Sequence, residues 1–335
     1  MQCTTSLCHP DAAYRPSLFN ETASKTFVSS DKRSSVAYVG TSFKGTLGID
    51  VANLAGITVE QQEFLDATEV SVPGFISFYR SYDGVLGLAP FNPSDESDIA
   101  TYPSLFKSMV RDKLITHNIF TLELPQGKRF VKHGRTPGSL RFGQPRISPS
   151  AENVVRLPLS GKSIAEQMWY SPGTDLDWDQ GRLRLQIGPN YPIMIDPGSL
   201  AIRLPRPLAS RINRQISLPD SDHHIDCNGR SNLPSLVLTF EGGSRLELTP
   251  IDYTFERRSL NGTLIGCMSL FYDTDTVPGI VLGAGVLEHY ITEWDLDRKE
   301  IRCKFDLHFR PKYLKVLLTC LHCSGKAEQE VAEMY

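Results

Sequence analysis

Short runs of Val, Ile, Thr, Leu and aromatic residues, each cut off within a few positions by Gly, Pro, Asn or Asp, recur from one end of the chain to the other. Runs of that length form strands, and turn residues at their boundaries prevent them from propagating as helix. Helical patterning survives in two places. Residues 102–112 put Leu105, Phe106, Met109 and Val110 on one face with Pro103 in the first turn, and a second short helix is expected over residues 207–215. The expected fold class is therefore all-β. With 335 residues, 40% of them apolar, there is material for one large core or two ordinary ones.

Charge and hydropathy narrow the partners. The formal net charge is -3 and Lys and Arg are dispersed, so no basic footprint for nucleic acid or an anionic membrane is present. No run approaches the roughly 18 apolar residues of a membrane span, and the Met1-Gln2-Cys3 start has neither the basic flank nor the apolar stretch of a secretory signal. A peptide, protein or small molecule is the expected partner, bound by a monomer. The cysteines and sequons point to an oxidising compartment: Cys3 and Cys8 lie close together, Cys227 and Cys267 bracket a run of strands, and Asn20-Glu21-Thr22 and Asn261-Gly262-Thr263 are acceptors for glycosylation.

Residues 128–150 carry several Gly and Pro and read as hairpins and connections, which sets a lobe boundary shortly afterwards, near residues 157–163. From Leu307 onward the strand pattern fades. An internal echo links the halves: Asp83-Gly84-Val85-Leu86-Gly87-Leu88 and Gly279-Ile280-Val281-Leu282-Gly283 are both apolar runs ending in Gly, each followed by a short segment of helical character. Two related lobes would produce such a pair.

The most specific chemistry lies in Tyr191-Pro192-Ile193-Met194-Ile195-Asp196-Pro197-Gly198-Ser199, an apolar strand delivering one carboxylate into a Gly-containing turn, followed by Leu200-Ala201-Ile202. Around it other pieces fall in order. Cys3-Thr4-Thr5-Ser6-Leu7-Cys8 precedes Val36-Ala37-Tyr38, then Ser42-Phe43-Lys44-Gly45-Thr46-Leu47-Gly48-Ile49-Asp50, the Asp83 run, and Gly138-Ser139-Leu140-Arg141-Phe142-Gly143. After Asp196 come Cys227, Leu233-Pro234-Ser235-Leu236-Val237-Leu238-Thr239-Phe240, Cys267, Val281-Leu282-Gly283 and Tyr290-Ile291-Thr292-Glu293-Trp294-Asp295. In this order and spacing, about residues 3–305 resemble the pepsin-like aspartic peptidases (peptidase A1).

The resemblance implies a two-lobed pepsin-like acid-protease fold with an incomplete first lobe. It assigns residues 1–158 to the first lobe, 159–308 to the second, and 309–335 to a disordered tail outside the family pattern. It makes Asp196 the second catalytic aspartate, Tyr38 the flap tyrosine that closes over substrate, and Ser42 and Ser199 neighbours of the substrate, with peptide or protein lying in the interlobe cleft. It pairs Cys3 with Cys8 and Cys227 with Cys267, requires no cofactor or metal, and implies a secreted or vacuolar protein.

The same resemblance exposes a deficit. The family mechanism holds two carboxylates about 3 Å apart sharing one proton, and together they activate water for attack on the peptide carbonyl. No Asp-Thr-Gly or Asp-Ser-Gly occurs in this chain, and the family's first such loop would lie upstream of Cys3. Pro197 stands where the family has Thr, and it offers neither a hydroxyl nor a backbone N–H. Val39-Gly40-Thr41 replaces the usual Gly-Thr-Gly at the flap tip, and Ala284 replaces an Asp after Val281-Leu282-Gly283. A member of the aspartic endopeptidase family without normal activity, a pseudoenzyme, is the expectation; the alternative is a non-catalytic binding or inhibitor-like protein on the same fold.

Other sites are thinner. Gly283-Ala284-Gly285 has Glu288 where a dinucleotide fingerprint needs its third glycine, and Cys320-Leu321-His322-Cys323 is one ligand pair without a second. No Gly-x-Ser-x-Gly and no His-Glu-x-x-His is present.

Overall fold

The computed structural model of the chain describes residues 2–3, 19–38, 41–71, 84–91, 103–124, 138–161, 163, 168–181, 183–219, 221, 223–259, 262–274 and 279–305. The described residues are mostly strand, as the turn-punctuated sequence requires, and the strands assemble into four sheets.

The first sheet runs in the order Gln2–Cys3, Ile57–Ser71, Thr41–Leu54 and Val28–Tyr38. Ala55 and Gly56, at φ of 55° and 78°, turn Leu54 back onto Ile57 in a two-residue loop. Positive φ at both positions gives the mirror-image turn whose twist matches the strands it joins. Phe43, Leu47, Leu65 and Ala67 form this sheet's buried cluster, with Val36 and Val70 packed against it.

The second sheet has seven strands: Arg245–Leu248, Leu236–Phe240, Tyr170–Trp178, Leu183–Asp196, Ile280–Gly283, Ile202–Pro205 and Phe271–Thr274. Leu236–Phe240 buries Leu236, Leu238 and Phe240 and leaves Val237 and Thr239 half-buried, the period of a strand with one face on the core. Ile280–Gly283 is buried at every residue, because it lies between two strands, parallel to residues 193–196 and antiparallel to residues 202–203. A three-stranded sheet of His224–Ile225, Leu264–Ser269 and Thr254–Arg258 accompanies it.

The fourth sheet joins the two halves of the sequence. Ser139–Phe142, Ile119–Glu123, Tyr290–Asp295, Glu300–Phe305 and Val154–Pro158 lie side by side in that order. Phe120 of the first half stacks on Trp294 of the second at 5.3 Å between centroids, and Trp169 meets Trp294 edge-on at 5.0 Å. Glu293 and Arg302 face each other across this sheet and form an ion pair buried to 0% and 1% exposure. The second oxygen of the Glu293 carboxylate accepts the N–H of Arg146 at 2.7 Å and of Ile147 at 3.1 Å, fixing the connection between two strands.

The helices are close to expectation. The one expected over residues 102–112 spans Leu105–Arg111, because the Ser104 hydroxyl accepts the Lys107 N–H at 3.2 Å and makes Ser104 the cap, leaving Pro103 outside the helix. The second spans Arg206–Ile216 with Pro207 in its first turn, where a missing N–H costs nothing. It buries Leu208, Ala209, Ile212 and Ile216, and its Asn213 donates to the Phe271 carbonyl at 2.8 Å. Residues 309–335, Cys8 and Asn261 lie outside the described residues.

Candidate active site

Asp196 is the last residue of the strand Leu183–Asp196, and the chain turns immediately after it. Ser199 donates its N–H to the Asp196 carbonyl at 3.1 Å, closing a four-residue turn with Pro197 in its second position. That is where a proline's fixed φ is favoured, so the residue that departs from the family pattern is sterically at home. The Gly198 N–H donates to Asp196 Oδ1 at 2.8 Å. A Cβ on Gly198 would stand 3.0 Å from that oxygen, so glycine keeps the face of the carboxylate clear.

Two neighbours fix the turn from behind. Gly283 lies opposite Asp196 in the parallel ladder, and the chain beyond it holds the turn through Ala284 N–H to the Ser199 carbonyl at 2.6 Å and Gly285 N–H to the Leu200 carbonyl at 3.1 Å. A Cβ at Gly283 would fall 2.4 Å from the Ala201 oxygen and 2.5 Å from the Ser199 oxygen. Trp169 acts on the other side: its carbonyl accepts the Ile195 N–H at 2.9 Å, and its indole N–H donates to the Leu88 carbonyl at 2.7 Å. One residue thus ties the aspartate strand to the Asp83 run of the first half.

Burial holds the Asp196 carboxyl above the ordinary carboxylate range, while the N–H groups of Gly198 and Ser199 and the charge of Arg203 pull it back part of the way. Among the described residues the Asp196 carboxyl has no carboxylate partner, and it keeps its proton to higher pH than a solvated aspartate.

The family profile described as eukaryotic aspartyl protease matches residues 3–304. The chain belongs to that family. It is 27% identical over 316 residues to the vacuolar aspartic protease of Candida albicans, an alignment covering 89% of this chain and 66% of that protein. It is 24% identical over 311 residues to aspartic protease 1 of Caenorhabditis elegans, covering 89% and 73%. Pepsin A of Gallus gallus is 28% identical over 248 residues, covering 72% of this chain and 59% of the pepsin. The chain therefore spans just under two thirds of the Candida protein and a smaller share of the pepsin.

The other residues that the aspartyl protease resemblance singled out are distributed as follows. Tyr38 ends the strand Val28–Tyr38 and pairs with Thr41 beside the hairpin tip, and Ser42 pairs with Ala37 in the same hairpin and with Ser71 on its other side. Asp196 and Ser199 belong to the seven-stranded sheet and its turn, and among the described residues no ladder joins the two sheets. Cys227 and Cys267 form a disulfide with Cα atoms 5.3 Å apart. The pairing of Cys3 with Cys8 falls outside the described residues. Asn20 is exposed and its Oδ1 accepts the N–H of Thr22 at 3.1 Å and its hydroxyl at 2.7 Å. The short helix Ala284–Leu287 has Gly283 at its N-cap and therefore no side-chain cap. Among the described residues no group of three or more His, Cys, Asp and Glu is placed to hold a metal ion.

Arg203, Trp169 and Gly283 gain roles that sequence reading did not give them. Each acts on Asp196 through a ladder partner or a returning strand, so no local spacing announces it.

A pH-dependent stability follows from the raised Asp196 carboxyl. Its folded form is favoured with the proton on, so its contribution is fully present below the ordinary carboxylate range and is lost as pH rises through the raised value. Asp196→Asn keeps the acceptor for Gly198 and removes the charge. Its stability relative to the parent should rise with pH across that window and level off above it, read as urea midpoints at stepped pH. A difference that stays flat, or falls with pH, contradicts this account of the site.

Proposed function

We propose that this chain is an aspartic-endopeptidase-type module carrying one half of an acid peptidase site, and that as a 335-residue polypeptide it lacks normal peptidase activity. The observation that carries this reading is the solitary carboxylate. Peptide hydrolysis of this type needs one group to take the water's proton while another, protonated, donates to the carbonyl oxygen. Asp196 has the position and the elevated proton affinity for one of those roles, and the sequence contains no second Asp-Thr-Gly or Asp-Ser-Gly loop for the other.

Asp196 is assigned as the catalytic-type aspartate, with Ser199, Tyr38 and Ser42 as the residues that would line bound peptide. Pro197 supports the assignment of inactivity, because it has no N–H or hydroxyl with which to tie a second active-site loop to the first. The same residue, seated without strain in its turn, favours a second reading in which the fold serves as a non-catalytic, inhibitor-like binder.

We place the lobe boundary at residues 158 and 159, with residues 309–335 as a tail. The support is that Val154–Pro158 closes the sheet shared by both halves and the seven-stranded sheet begins at Tyr170. A secreted or vacuolar monomer is the proposed form. The Cys227–Cys267 bond and the exposed Asn20 acceptor support an oxidising route, as do relatives named vacuolar proteases. No helix among the described residues is long and apolar enough to cross a membrane. Assay of acid-denatured globin cleavage, with and without a transition-state inhibitor, tests the activity reading.

A further inference from the structure

Asp196 is followed by Pro197, and no other Asp-Pro step occurs in the 335 residues. The peptide bond between them has unusual chemistry. Its nitrogen is a tertiary amide without an N–H, and on leaving it becomes a secondary amine, which takes up a proton more readily than other peptide nitrogens. The aspartate side chain also has the length to close a five-membered ring on its own backbone carbonyl carbon. One carboxyl therefore serves here as both nucleophile and proton donor, where attack on a separate peptide by activated water needs two.

The turn holds the atoms of this bond. The Ser199 N–H donates to the Asp196 carbonyl oxygen at 3.1 Å, polarising that carbonyl and meeting the negative charge that gathers on its oxygen during attack. The Gly198 N–H holds Oδ1 at 2.8 Å and fixes the orientation of the carboxyl. The turn is anchored in its place by the N–H groups of Ala284 and Gly285 on the Ser199 and Leu200 carbonyls. Asp196 and Pro197 are half-buried and Gly198 is exposed, so water reaches the bond. Burial keeps the proton on the Asp196 carboxyl above the ordinary carboxylate range. Of the elements around it, Ile280–Gly283 and Ala284–Leu287 bring no ionisable side chain. The near end of Tyr170–Trp178 brings Tyr170, opposite Met194, and the aspartate's own strand brings Tyr191. Ile202–Pro205 brings Arg203, whose charge works against the proton.

We propose that Asp196–Pro197 is a self-cleavage site, at which the folded chain breaks its own backbone in mild acid. A side-chain carboxyl oxygen of Asp196 attacks the Asp196 carbonyl carbon, the carboxyl proton passes to the Pro197 nitrogen, and the C–N bond breaks. Residue 196 is left as a cyclic anhydride and Pro197 as a free secondary amine. Water then opens the anhydride to two carboxyls, so the net change is addition of one water across one peptide bond. The products are residues 1–196 and 197–335. They stay together while folded, because residues 193–196 remain paired with 280–283 and Tyr170–Trp178 with Leu236–Phe240. The step uses neither a second carboxylate nor a bound peptide, so it is independent of whether the chain cleaves other polypeptides.

The test is incubation of the purified whole chain from neutral to mildly acidic pH, at values where urea unfolding shows it folded, followed by denaturing electrophoresis and N-terminal sequencing. A fragment beginning Pro197-Gly198-Ser199-Leu200 is expected. Its first-order rate should be the same at all protein concentrations, unaffected by a transition-state inhibitor of acid peptidases, and should rise as pH falls through the raised Asp196 value, because the carboxyl must carry the proton it delivers. The chain unfolded in urea at the same pH should cleave about tenfold more slowly or less, since the turn geometry is lost. Pro197→Thr, which the turn position tolerates, and Asp196→Glu, which would need a six-membered ring, should each stay intact, with the urea midpoint of each variant reading its fold. Absence of a fragment beginning at Pro197, a rate that scales with concentration or is blocked by the inhibitor, equal cleavage of Pro197→Thr, or cleavage in urea as fast as in the folded chain overturns the proposal.

Discussion

Arg302→Met is expected to destabilise the protein by about 3–5 kcal/mol, the cost of leaving one member of a buried ion pair without its partner. Glu293 and Arg302 are 0% and 1% exposed, so water cannot replace the lost guanidinium. The stranded carboxylate also holds the N–H groups of Arg146 and Ile147, and its protonation or movement would loosen that connection. Burial and the neighbouring Arg156 hold the Arg302 guanidinium below its ordinary value. Adding Glu293→Gln to Arg302→Met should recover part of the loss, because a neutral amide oxygen still accepts from the two N–H groups. Urea unfolding with unchanged slope reads both effects as midpoint shifts. A loss under about 1 kcal/mol for Arg302→Met would put this pair in the class of solvated ion pairs and contradict the packing of the shared sheet.

The second large effect is expected at Gly283. Its substitution by Ala places a methyl group 2.4 and 2.5 Å from two carbonyl oxygens, and those oxygens belong to backbone that cannot rotate aside. The turn after Asp196 must move, with loss of the short contacts from Ala284 and Gly285. Overpacking of this kind typically costs about 1–3 kcal/mol, and the upper end is expected because backbone rather than side chain must shift. The pH dependence described for Asp196→Asn should shrink in a Gly283→Ala background, since the displaced turn no longer buries the carboxyl. Gly87→Ala is the matched control and should be neutral. Equal stability of Gly283→Ala and the parent would remove the close approach on which the site description rests.

Much of this was legible in the sequence for a physical reason. Strand content follows from local periodicity and turn residues, so Leu236–Phe240 and the run into Asp196 could be read directly. The helix Arg206–Ile216 was expected over residues 207–215, one residue short at each end. Its counterpart began later than expected because a serine cap outweighs a nearby proline. The order of motifs placed the chain in the aspartyl protease family, and the family match over residues 3–304 agrees. What was not legible depends on strands that return from far away in the chain. The pressure on Gly283 comes from residues 199–201, and the hold of Trp169 spans both Ile195 and Leu88. The open space that Gly87 has among the described residues carries no sequence signature, because the echo makes it look identical to Gly283.

One carboxylate of the Asp196 kind cannot both take the water's proton and donate to the carbonyl oxygen. The most direct test is cleavage of denatured globin by the purified 335-residue chain from mildly to strongly acidic pH, alongside Asp196→Asn and with a transition-state inhibitor. The account predicts no cleavage above background at any pH, and no difference between parent and variant. Cleavage that the inhibitor blocks and Asp196→Asn abolishes would contradict it.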